Sequence, residues 1–360
     1  MLVFRRKFLS SDAVDVIIRS EVSAVEEKRI RIADIAEELG LSTATVSNVL
    51  HGKTKKVSGE TVKRVQALVE EREYIPSMAG ILLARNSSRI IGVMINDHEK
   101  YENHTLEDSY IASSLNYLST EIEKSGQFMM IKKTTDVKEV IKFSSMWNMD
   151  GLVIMGFCQQ DYMYLRNQMR IPFVVYDGYC RDAERICNIS IDNHSGGYQV
   201  GEHFKKLGHK RALCIADNCE CMDKERFQGF CAGFGEENVG FMLIPNHREQ
   251  RIPFYAEKLE EIKSYSALFA VSDYYAAELI QFLKDKGVSV PGDISVAGFD
   301  DAPISSLVSP ALTTVRQDLS LKSKTAIEKL RELKEGKEVP SQIILPVQLV
   351  WRASTGPAAV

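Results

Sequence analysis

The chain is 360 residues long, 44% hydrophobic and 26% charged, with a formal net charge of −4. That balance belongs to a folded globular protein of two or three domains and excludes a disordered tail, a collagen-like repeat or a disulfide-stapled mini-protein. The longest apolar runs, Gly151–Phe157 and Ile171–Tyr176, fall far short of the ~18 residues of a membrane span, and seven cysteines, an odd number, suit reduced thiols in a cytosol.

Residues 1–29 read as an extension of doubtful role. Val14, Ile17, Ile18, Val22 and Val25 recur at helical spacing behind Ser11-Asp12, but no apolar core of a secretory signal follows Arg5, Arg6 and Lys7. Charge then divides the chain. Residues 29–88 sum to +2, residues 1–28 to zero and residues 89–360 to −6, a mildly basic head on an acidic body.

Residues 30–75 predict three helices. Ile32, Ile35, Ala36 and Leu39 share one face, and Gly40 supplies the left-handed stop. Ser42 caps a second helix, Thr43–Leu50, with Val46, Val49 and Leu50 inward; Ser58 caps a third, Gly59–Glu73, striped by Val62, Val65, Leu68 and Val69. Two short helices around a glycine turn with a third in support is the helix-turn-helix layout. Its second helix turns Thr43, Ala44, Ser47 and Asn48 outward. Asparagine can pair bidentately with adenine, and the methyls of threonine and alanine suit that of thymine.

After a linker over 76–89, apolar runs alternate with amphipathic helices. Strands are expected at Ile90–Ile95, Phe128–Ile131, Gly151–Met155 and Phe173–Tyr176. The cycle restarts after Ile191-Asp192, with strands at Ala212–Ala216, Phe241–Ile244, Ala267–Val271 and Ile294–Gly298. Two such cycles imply an α/β body of two doubly wound parallel-sheet lobes, whose ligand sites lie beyond the carboxyl ends of the strands. Asp177, Asp192, Arg226, Asp273 and Asp300 fall at those ends or at helix starts, and Asn96 closes the first strand. Carboxylates with a planar guanidinium fork can hold a hydroxyl-rich ligand, although aspartate at a loop also serves as a cap. Cys219 and Cys221, with Cys214 and His209 nearby, lack zinc-finger spacing, so no metal is expected. Gly196-Gly197 lacks a dinucleotide fingerprint, and no catalytic triad or carboxylate pair is credible; neither cofactor nor catalytic residue is expected.

The segments IRIADIAEELGLSTATVSNVLHG and VSGETVKRVQALVEEREYIPSMAGILLARNSSRIIGV resemble the head and hinge of the LacI/GalR family of bacterial transcription regulators. The likeness continues through IDNHSGGYQVGEHFKKLGHKRALCIAD, DKERFQGF, VSDYYAAELIQFLKDKGVSVPGDISVAGFDD, SPALTTVRQDL and VQLVWRAST, over residues 30–356. It implies a periplasmic-binding-protein-type body, lobe one about 90–191 plus 317–345 and lobe two about 192–316 plus 346–356. It also implies a cytoplasmic homodimeric repressor of a pseudo-palindromic operator, controlled by a small carbohydrate-like effector, with no membrane partner. By the same resemblance Ser42, Thr43, Ala44, Ser47 and Asn48 supply the recognition-helix contacts, and Ser58 and Thr61 touch phosphates. Pro76–Ala84 is then a hinge helix whose Leu83 wedges into the minor groove. The resemblance also places Arg226, Asp273 and Asp300 in the effector cleft, beside the candidates Asn96, Asp177 and Asp192 read from strand ends and helix starts. The chain departs from the family at Gly80, usually alanine, and at Asp177-Gly178-Tyr179, which lacks the usual arginine. A ligand-binding module or a sugar-active enzyme without specific DNA binding is the alternative; the complete head favours the regulator.

Overall fold

The computed structural model describes residues 30–75, 87–180 and 186–358, in two compact units divided along the chain between residues 86 and 87. The expected leader helix, the hinge with Leu83, and residues 181–185 lie outside the described residues.

The first unit holds α1 (Ile32–Leu39), α2 (Thr43–Leu50) and α3 (Gly59–Glu71). One residue set makes its core: Ile35 and Ala36 from α1, Val46 and Val49 from α2, Val65 and Leu68 from α3. Gly40 ends α1 at φ +66°, and its N–H reaches back to the Ala36 and Glu37 carbonyls. A Cβ there would meet nothing within 4 Å, so the left-handed backbone, not space, calls for glycine. The Ser42 and Ser58 side chains accept from Thr45 N (3.1 Å) and Thr61 N (3.2 Å), capping α2 and α3 as their positions predict.

The second unit carries two six-stranded sheets. Lobe one contains β1 (Ile90–Asn96), α4 (Ser109–Lys124), β2 (Phe128–Thr134), α5 (Val137–Met146), β3 (Gly151–Met155), α6 (Gln159–Gln168), β4 (Phe173–Tyr176) and β5 (Cys187–Ile191). Lobe two contains α7 (Asn193–Lys206), β6 (Ala212–Ala216), α8 (Cys221–Phe234), β7 (Val239–Leu243), α9 (Arg248–Glu257), α10 (Leu259–Lys263), β8 (Ala267–Ala270), α11 (Asp273–Asp285), β9 (Ser295–Asp300), α12 (Ile304–Leu307) and β10 (Thr313–Gln317). The chain then returns to lobe one as α13 (Leu319–Lys334) and β11 (Gln342–Leu345), and finishes in lobe two as β12 (Val347–Val350). The sheets run β11-β5-β4-β3-β1-β2 and β12-β10-β9-β8-β6-β7.

Both faces of each sheet are covered, which is why the central strands are apolar without alternation; β3 and β6 are buried along their whole length. The expectation of purely parallel sheets needs one correction. β12 pairs antiparallel to β10, because only Pro346 separates it from β11 and no crossover helix turns the chain round. Three crossings therefore join the lobes: β5 to α7, β10 to α13, and β11 to β12.

In lobe two, α7 and α8 pack backbone to backbone. A Cβ on Gly197 would lie 1.9 Å from the Arg226 carbonyl oxygen, and one on Gly229 would lie 1.9 Å from that of His194. Glycine at these positions lets the start of α8 approach the start of α7 at the lobe boundary.

Candidate functional site

On the head, Thr43, Ala44 and Asn48 are exposed on α2 and Ser47 is half-buried. The inward Val46 and Val49 pin the opposite side of the helix, so the polar side chains stand where a groove could be read. Ser42 and Ser58 do a second job as caps, each hydroxyl also lying 2.8 Å from its Thr45 or Thr61 hydroxyl. Ser58 and Thr61 thus mark the N-terminus of α3, where free N–H groups and the helix dipole favour a phosphate. Lys53, Lys55, Lys56, Lys63 and Arg64, near them in the chain, are exposed.

In the body, Asp177 and Asp300 both close strands with positive φ, +57° and +114°. Non-glycine residues held there are strained, and such strain gathers at ligand sites. A buried polar chain connects them across the lobes. The Tyr110 hydroxyl donates to Asp177 Oδ2 (2.7 Å), which also pairs with Lys322 Nζ (3.2 Å). Lys322 Nζ donates to Gln317 Oε1 (2.5 Å), and Gln317 Nε2 donates to Asp300 Oδ1 (2.8 Å). Asp177 Oδ1 is buried without a hydrogen-bond partner. Burial pushes Asp300 up to about 7 against the pull of Arg226, and Asp108 and Asp177 raise it further. Burial likewise holds Lys322 below the ordinary lysine value although Asp177 favours its charge.

Arg226 is nearly buried and well held. Its Nε donates to Asn193 Oδ1 (2.9 Å), its Nη1 to the Val271 carbonyl (2.6 Å), and its guanidinium lies 3.8 Å above the Phe299 ring. Asp223 sits 3.9 Å away.

The other three expected effector residues have internal partners. Asp192 caps α7, accepting from Ser195 N at 2.8 Å. Asp273 is 1% exposed, with one oxygen taken by the Thr314 hydroxyl (2.5 Å) and the other by Ala302 N (2.7 Å). Asn96 donates to the Gly156 carbonyl (2.9 Å), tying the ends of β1 and β3. One polar chain thus joins Asp177 to Asp300, and Arg226, Asp192, Asp273 and Asn96 each hold other internal partners.

Lys322 is the residue that strand-end reasoning missed. Its signal was there: it shares the face of α13 with Ala326 and Leu330, all three buried, so a lysine interrupts an apolar stripe. Gln317 was hidden at the end of β10. Lys100 of lobe one also reaches Asp217 of lobe two (3.3 Å), and Glu102 reaches His247 (2.9 Å). Among the described residues, no group of three or more His, Cys, Asp or Glu side chains could hold a metal ion, and no helix is long and apolar enough to cross a membrane.

Comparison with known proteins decides the lineage. The family described as bacterial regulatory proteins, lacI family, matches residues 31–77, and a periplasmic binding protein-like domain matches residues 202–355. The HTH-type transcriptional repressor PurR of Actinobacillus pleuropneumoniae is 30% identical over 346 residues, spanning 90% of this chain and 97% of the relative. The chain belongs to the LacI family. The PurR repressor of Aliivibrio fischeri is 29% identical over 340 residues, 90% of this chain and 97% of that one. The lac repressor dimer bound to operator and the anti-inducer ONPF shares the fold with TM-score 0.79 at 24% identity, covering 91% of this chain and all of that one. The regulator CelR in complex with cellobiose has TM-score 0.65 at 21% identity over 91% of this chain and all of that one. The family assignment makes the first unit a DNA-binding head and the second a ligand-binding domain of a transcriptional regulator.

Proposed function

We propose that this protein is a homodimeric repressor of a pseudo-palindromic operator, its affinity for DNA set by a sugar or sugar derivative held between the lobes. The observation that carries the reading is the polar chain from Tyr110 through Asp177, Lys322 and Gln317 to Asp300, which couples the two lobes through the groups a ligand would engage. Ser42, Thr43, Ala44, Ser47 and Asn48 make the recognition-helix contacts, while Ser58 and Thr61 meet phosphates. Asp177, Arg226 and Asp300 hold the effector. Dimer and operator are those named for the lac repressor structure, and cellobiose in the CelR complex shows a saccharide in a similar fold. We read the body as a sensor, not an enzyme, because its relatives are named as repressors.

Two variants test both halves. Asn48→Ala should weaken binding to the operator by about 1–3 kcal/mol while leaving binding to random DNA unchanged. Asp300→Asn should keep operator binding and lose the response to effector. Equal weakening on operator and random DNA, or an intact effector response in Asp300→Asn, refutes the corresponding assignment in a gel-shift titration.

A further inference from the structure

The space between Asp177 and Asp300 is filled by the protein itself. Lys322 stands in the first turn of α13, just past the crossing from β10, and its side chain is fully buried. Its Nζ lies 3.2 Å from Asp177 Oδ2 and 3.5 Å from the Tyr110 hydroxyl, both of lobe one. The same nitrogen donates to Gln317 Oε1 (2.5 Å) at the end of β10 in lobe two, and Gln317 passes the contact on to Asp300. The Tyr110 and Tyr176 rings stand 5.4 and 5.3 Å from it. A carboxylate and two aromatic rings around an ammonium make the kind of cage that binds alkylammonium ligands. A cavity of about 60 Å³ does lie between the lobes, walled by Gly178, Cys180, Ser190 and Gln342 on one side and by Asn193 and Met222 on the other; neither Asp177 nor Asp300 lines it.

Stability alone does not call for a lysine here. Ala326 and Leu330 continue the same buried face of α13, and an apolar side chain in place of a buried ion pair is often neutral or stabilising. An apolar residue could not hold Asp177 and Gln317 at once, and so could not tie lobe one to lobe two across the crossing. We propose that Lys322 is a built-in occupant of the effector cleft: its ammonium holds the lobes together in the free, operator-binding protein, and the effector is an inducer that displaces it. This rests on the cleft being the effector site. An effector that engages Asp177 and Asp300 has to take the place that Lys322 and Gln317 fill, so it binds only when the tie is broken and favours the untied state. Lys322 competes from the same chain and thereby lowers the effector's apparent affinity.

The test is chemical rescue of the full-length protein. Lys322→Ala removes everything beyond Cβ, a fragment with the outline of n-propylammonium. The variant is titrated with n-propylammonium chloride, beside 1-propanol and sodium chloride at equal concentration, and followed by thermal melting and by fluorescence anisotropy on operator and random DNA. Lys322→Ala should melt lower than the native protein and bind operator about fivefold or more weakly, with random DNA unaffected. About 50 mM n-propylammonium should raise its melting point by about 2–4 °C and return operator affinity to within about a factor of two of native. The native protein and Lys322→Ala/Asp177→Asn should not respond to the amine. A variant that does not fold alone is refolded from urea with the amine or with sodium chloride, and the operator-binding fraction recovered is the readout. The proposal is overturned if n-propylammonium does no more than sodium chloride or 1-propanol, or if rescue persists without Asp177. It is also overturned if Lys322→Ala binds operator as the native protein does, or if melting is rescued while operator affinity stays low, since Lys322 is then a structural ion pair only. Each of these results leaves the reading of the cleft standing, which fails instead if Asp300→Asn keeps its effector response.

Discussion

Lys322→Met keeps the aliphatic stem and deletes the ammonium at the centre of the body. In the native protein Lys322 and Asp177 pair at 3.2 Å with side-chain exposures of 0% and 7%. Removing one partner of a buried pair costs about 3–5 kcal/mol, because the remaining charge is stranded. The variant should therefore lose about 3–5 kcal/mol. Adding Asp177→Asn should restore stability to within about 1 kcal/mol of the native protein, since a neutral pair needs no counter-charge. Urea unfolding followed by tryptophan fluorescence suits the measurement, because both tryptophans, Trp147 and Trp351, lie in the body. A loss below about 1 kcal/mol, or a double variant no better than the single one, would refute the reasoning.

Gly229→Ala should destabilise the body by about 3 kcal/mol, since its Cβ would fall 1.9 Å from the His194 carbonyl oxygen; Gly59→Ala, open on all sides at the start of α3, should leave the head's melting point unchanged or slightly raised. Asp300 should make the folded body lose stability as pH rises from about 4 to about 7: the folded state holds a proton there that the unfolded state has released, and the loss is complete above the folded value. His203 and His209, held below the ordinary histidine value by burial, act the opposite way and lose stability as pH falls through about 6.5, so the Asp300 contribution is read as the difference between native protein and Asp300→Asn, roughly 1 kcal/mol per pH unit; a flat difference curve excludes it. Deleting residues 1–24 should leave operator affinity within about a factor of two in a fluorescence-anisotropy titration, and a larger drop would make the leader a working part of the DNA contact.

The sequence was most legible where one physical demand acted alone. Gly151–Met155, Phe173–Tyr176 and Ala212–Ala216 are apolar because both sheet faces are covered, and each strand runs between the residues its pattern predicts. Between β7 and β8 the helical pattern is harder to read, because Pro253 stands inside α9 and a second short helix, α10, follows. The direction of β12 was not legible, since it depends on a pairing partner some thirty residues away. Among candidate site residues, position at a strand end could not separate ligand groups from caps. Asp192 and Asp300 look alike in the sequence, yet one serves Ser195 N within its own turn and the other receives Gln317 from a neighbouring strand. Lys322 required knowing which helix face was inward.

The route of the chain through the body has an evolutionary meaning. Lobe one is completed by α13 and β11, which are encoded after nearly all of lobe two, and lobe two is closed by β12, which follows β11 by one residue. No single cut in the gene yields two lobes that each own all their strands. New ligand specificities therefore have to arise by substitution within an intact body, or by exchanging that body whole at the chain boundary between residues 86 and 87. A cut at that junction leaves every described strand with its own sheet.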